Sequence, residues 1–162
     1  MPLIFRASPE LRVELDILGY QFPGSHDHLD ANWLMVQGRI EHPQGDWRFK
    51  DACLRTHELD QLAQWLQALD QPEGPPRPCW FTEPCLAFHY LGGPEPQIQI
   101  HFCLEAAPPW LNPEQRLDGC QVTLPLACNS VPRLLAGWMP CAEISPSAEP
   151  QPPVCSRCRR LR

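Results

Sequence analysis

A chain of 162 residues, 43 % hydrophobic and with a formal net charge of −6, is long enough for one domain that buries roughly 70 % of its unfolded surface without disulfide staples. The acidic balance argues against broad binding to nucleic acid or to an anionic membrane, and leaves room for a basic protein partner. There is no apolar run of membrane-spanning length, the N-terminal MPLIFRASPELRVEL is too short in apolar residues for a signal peptide, and the nine cysteines are odd in number and irregularly spaced; a cytoplasmic protein whose cysteines are mostly free and buried is expected.

In chain order, residues 10–18, ELRVELDIL, alternate strictly, with Leu11, Val13, Leu15 and Ile17 on one side and Arg12, Glu14 and Asp16 on the other. This is the pattern of a half-buried strand. A loop over 21–31 follows. Residues 30–69 then read as two strands joined by the turn His42-Pro43-Gln44-Gly45-Asp46, and a helix. Leu34, Val36 and Ile40, with Trp47 and Phe49, make one apolar face of the hairpin. Thr56 is the expected N-cap, and Leu59, Leu62, Trp65, Leu66 and Leu69 repeat at helical spacing, so the helix is expected to lie on the hairpin.

The segment QPEGPPRP, 71–78, cannot be regular structure. Alternation resumes over Cys79–Tyr90 and again through Ile98, Ile100, Phe102 and Leu104; if these strands pair, His89, Gln97, Gln99, His101, Cys103 and Glu105 share the other face. A last strand over 117–127 contains Pro125, which places it at a sheet edge or puts the proline near its end. Ser130 starts a short helix, SVPRLLAGWM, and from Ser145 the chain is Pro-rich without periodicity, a disordered tail. The sum is an α+β domain over 1–144, a single largely antiparallel sheet of about six strands with two helices on one face, and a tail over 145–162. Its open sheet face is expected to lean acidic.

Chemistry is sparse. His26, His28 and Asp30 form the most metal-like loop, and Cys155 and Cys158 have zinc-knuckle spacing without a second close pair; both are weak, and no metal or cofactor is expected. Cys85 and Cys103, beside His89 and His101, make a conceivable nucleophilic pair, but cysteines on strands are more often packing residues. Partner contacts are expected at Glu14, Asp16 and Glu105 on the open face and at Glu83 at the start of a neighbouring strand.

The run Asp30-Ala-Asn32-Trp33-Leu34-Met-Val36, then Trp47, then Asp51-Ala-Cys53-Leu54-Arg-Thr56-His-Glu58-Leu59 with Trp65-Leu66, resembles the WapI family of immunity proteins. Phe81-Thr-Glu83-Pro84-Cys-Leu86-Ala-Phe88 and Leu104-Glu105-Ala-Ala-Pro108-Pro109-Trp110 match its later landmarks, so the likeness runs through residues 10–140 in order. The resemblance implies a small cytoplasmic antitoxin, not an enzyme, that binds and blocks a nuclease toxin domain; the net charge of −6 suits a basic toxin surface and argues against contact with nucleic acid or membrane. The competing readings are a small metal-dependent hydrolase built on the His26–Asp30 loop, and an accessory structural domain without a toxin partner.

Overall fold

The computed structural model describes residues 2–24, 31–71, 75 and 77–129. The expected helix at 130–139, the His26–Asp30 loop and the tail with Cys155 and Cys158 lie outside them. The elements run β1 Leu3–Ser8, β2 Leu11–Tyr20, β3 Trp33–Glu41, β4 Trp47–Arg55, α1 Thr56–Ala68, β5 Cys79–Trp80, β6 Leu86–Leu91, β7 Gln97–Phe102, α2 Pro113–Asp118 and β8 Cys120–Pro125. Short 3-10 turns cover Leu104–Ala106 and Leu126–Cys128.

The single six-stranded sheet is replaced by two antiparallel sheets of four strands each, ordered β1-β2-β3-β4 and β5-β6-β7-β8. The division falls where the chain leaves β4 through α1 and the proline-rich connection, because neither can continue a strand ladder. Two strands were beyond the alternation pattern. Leu3–Ser8 is a short edge strand on β2, and Cys79–Tyr90 is two strands interrupted at Phe81–Cys85. Pro125 does end an edge strand, as expected.

The inner faces share one core. Phe5 of β1 meets Phe88 of β6, and Trp47 and Phe49 of β4 meet Phe102 of β7 edge-on, at centroid separations of 6.1, 5.6 and 6.1 Å. Polar ties close both sides of this sandwich. Asn129, buried, accepts from the Arg6 amide at 2.7 Å and donates to the Arg6 and Pro125 carbonyls, joining β1 to the end of β8. On the other side the Trp47 indole donates to the Ala106 carbonyl at 3.0 Å.

Of the two helices expected on one face, only α1 lies among the described residues, and α2 is a separate element. α1 buries Leu59, Leu62, Trp65 and Leu66 where the two sheets meet, touching β4 and β5, and Trp65 packs on Phe88 while its indole donates to the Arg77 carbonyl at 2.9 Å. α2 packs against the Leu104–Ala106 turn and starts at Asn112, which accepts from the Gln115 amide. No helix among the described residues is long and apolar enough to cross a membrane.

Gly38 pairs with Phe49, whose ring fills the space a β-carbon would need. Gly38→Ala therefore forces the ring or the strand to move, and should lower stability in urea denaturation by about 1–3 kcal/mol. Trp65→Ala removes both the Phe88 contact and the indole hydrogen bond and should cost about 3–5 kcal/mol in the same measurement; a loss under about 1 kcal/mol would contradict its place in the core.

Candidate functional site

The proposed contact carboxylates separate into two groups. Glu14 and Asp16 lie on the outward side of the first sheet. There the register sets Arg6 opposite Arg12, Arg12 opposite Glu41, Glu14 opposite Arg39, Arg39 opposite Arg48 and Gln37 opposite Lys50. Arg12 holds Glu14 at 2.6 Å and reaches Glu41 at 3.7 Å. This face carries more cations than anions, so the expected acid-leaning open face is not found on it. Its companions His89, Gln99, His101, Gln121 and Thr123 belong to the other sheet's outward side, which points away from it. Two sheets in place of one are what divided the expected surface.

Glu83, in contrast, has both Glu105 and a third carboxylate, Asp51, near enough for their charges to act on it. Asp51 follows Trp47 and Phe49 on the inward parity of β4, at the margin of the core, where it is half-buried. Glu83 stands in the turn before β6, and Glu105 in the 3-10 turn after β7. Burial, then the charges of Asp51 and Glu105, push the Glu83 carboxyl above its ordinary range. Among the described residues none of the three is in an ion pair.

Two local devices place this group. Glu58, buried in the first turn of α1, accepts from the Arg55 amide at 2.8 Å, the Thr82 amide at 2.6 Å and the Thr82 hydroxyl at 2.7 Å. It takes over the capping expected of Thr56, which is instead the first helical residue and turns its hydroxyl to Asn32. The Glu83 turn is thereby fastened to the helix start. Leu104 adopts a left-handed conformation, φ +52°, which costs a branched residue about 1–2 kcal/mol. Arg116 of α2 holds that turn by donating to the Leu104 carbonyl at 2.9 Å, and Glu105 projects from it.

Beneath the carboxylates lie buried thiols. The Cys53 and Cys85 sulfurs lie within 4.8 Å of each other, and the Cys103 amide donates to the Cys85 carbonyl at 2.9 Å. Cys103 Sγ lies 3.3 Å from His101 Nε2, which is also 2.7 Å from the Asp118 carbonyl. Burial, with Cys85 and Asp118, raises the Cys103 thiol, leaving little thiolate for nucleophilic attack. His89 lies apart, edge-on to Trp80 at 5.0 Å. All five cysteines whose side chains are described are free.

A small two-sheet domain with an unpaired acidic group at its seam is the kind of protein that offers charge to another macromolecule. The immunity protein WapI-like family model matches residues 4–140, and the chain belongs to that family. Membership supports an immunity function and, with it, a protein toxin as partner. No curated protein and no solved structure matches the chain. The resemblance carried by the Trp-Leu, Glu-Pro and Pro-Pro landmarks is thus borne out. Asp51 was in those landmarks, but its charge role was not visible without the turn that brings Glu83 to it.

Glu58→Ala leaves three donors without their acceptor, each worth about 1–3 kcal/mol when orphaned inside a protein. Thermal melts should show a loss of about 3 kcal/mol or more, and amide exchange at Thr82 and Arg55 should quicken; unchanged exchange there would contradict the fastening role.

Proposed function

We propose that this chain is a cytoplasmic, non-enzymatic antitoxin that binds the nuclease domain of a protein toxin and blocks it, with Asp51, Glu83 and Glu105 as the contact group. Three neighbouring carboxylates with no ion pair among the described residues carry this reading. Like charges gathered at a half-buried seam oppose folding, so a partner that neutralises them gains what the isolated fold lacks. A nuclease that binds phosphate presents a basic surface, and carboxylates can occupy its phosphate positions while complementary fields speed encounter.

Glu14 and Asp16 are the alternative contacts. Glu14 is already engaged with Arg12, and the excess of arginine and lysine around both would repel a basic partner, so they rank second. The overall acidity also disfavours direct contact with nucleic acid.

Co-expression with the toxin domains encoded beside the gene should restore growth and yield a complex that loses nuclease activity. Reversing Glu83 and Glu105 to lysine should weaken that complex by at least about tenfold, mostly through slower, less salt-sensitive association, with the far-UV spectrum unchanged. Reversing Glu14 and Asp16 should change it by less than about threefold. Loss of binding only in the Glu14 and Asp16 variants would move the contact face, and no binding to any neighbouring toxin would overturn the proposal.

A further inference from the structure

We propose that Asp51, Cys53 and Cys85 form a binding site for one thiophilic divalent metal ion, zinc by preference. One carboxylate oxygen and two sulfurs all lie within 4.8 Å of one another. Tetrahedral zinc, with Zn–S near 2.3 Å and Zn–O near 2.0–2.2 Å, sets its donors roughly 3.3–3.8 Å apart. Side-chain movements of about 1 Å close that gap. Two sulfur donors select against magnesium and calcium.

The donors come from both halves of the sandwich. Cys53 and Asp51 are on β4 of the first sheet, where a bulge opposite Leu34 and Met35 leaves Cys53 out of the ladder, its side chain buried in the core. Cys85 ends the turn that leads into β6 of the second. Both sulfurs are fully buried, so the ion enters past the half-buried Asp51. Water is left to fill the remaining coordination position. The ion would cross-brace the two sheets at their seam. Sequence spacing gives no hint of this set, because the two thiols are separated by an entire helix and a proline-rich connection.

Metal binding balances as Zn²⁺ plus two thiols and one carboxylate giving a dithiolate–carboxylate complex and two released protons. Because two protons leave as the dication arrives, the net charge of the seam is unchanged, and the gain comes from metal–sulfur bonding that the metal-free thiols lack. The inference concerns the chain alone and stands whether or not a toxin binds. With Asp51 turned to the ion, Glu83 and Glu105 remain for the partner.

The test is a cobalt titration of the full-length chain, reduced and stripped with chelator. One equivalent of Co²⁺ should give thiolate-to-metal charge transfer and the visible bands of a tetrahedral site, displaced by Zn²⁺, which should also raise Tm. Cys53→Ser and Cys85→Ser should abolish the thiolate band. Asp51→Asn, a near-isosteric change at the half-buried margin of the core, should weaken binding at least about tenfold with an unchanged far-UV spectrum. The double variant Cys155→Ser with Cys158→Ser should bind as the parent does. Absence of a thiolate band overturns the proposal, as does a band that survives Cys53→Ser and Cys85→Ser or vanishes with the tail cysteines. A Cys53–Cys85 disulfide in the zinc-treated protein overturns it too.

Discussion

The carboxylate of Glu58 decides how the second half of this molecule is hung on the first. One oxygen caps the start of α1 through the Arg55 amide, and the other takes both the amide and the hydroxyl of Thr82. A charged acceptor inside a protein is tolerable only when its lone pairs are filled, and here they are filled both from the helix start and from Thr82, 24 residues beyond Glu58. The turn between β5 and β6 is therefore fixed relative to β4 and α1. Glu83 and Cys85, on that turn, owe their positions to it.

From this anchor the charge distribution follows. The first sheet's outward side alternates arginine, lysine and carboxylate across strands, so its charges largely satisfy one another. The second sheet's outward side is neutral, with histidine, glutamine and threonine. At the seam, however, Asp51, Glu83 and Glu105 have no ion pair among the described residues and stand near buried thiols. A fold selected for stability alone has no reason to collect charge of one sign there. That imbalance, together with membership of an immunity family, is what points to a basic protein partner.

Alternation made much of this legible in advance. The inward residues of β2, β3, β4 and β7, the apolar stripe of α1, the turn at 42–46 and the edge position of Pro125 all follow from periods of two and 3.6 residues. Pairing does not. A period-two pattern says which side of a strand is buried and is silent on which sheet buries it, so six strands that alternate alike were merged into one layer. β1 carries only Leu3 and Phe5 as fully buried residues, too few for a pattern. α2 is a short capped helix announced by Asn112-Pro113, and its last residues, Leu117 and Asp118, were expected to open the strand over 117–127. Of the contact residues, Glu83 and Glu105 were picked as exposed acids, but their meeting with Asp51 depends on the two-sheet arrangement. The Cys53–Cys85 contact depends on it equally.

The central claim is that the seam between the sheets is the face that meets the toxin. Hydrogen–deuterium exchange of the chain with and without its neighbouring toxin domain tests it most directly. The account requires new protection concentrated in the Phe81–Cys85 turn, the Leu104–Ala106 turn and the middle of β4. Protection confined to the arginine-rich outward side of β1, β2 and β3, with the seam unchanged, would contradict it.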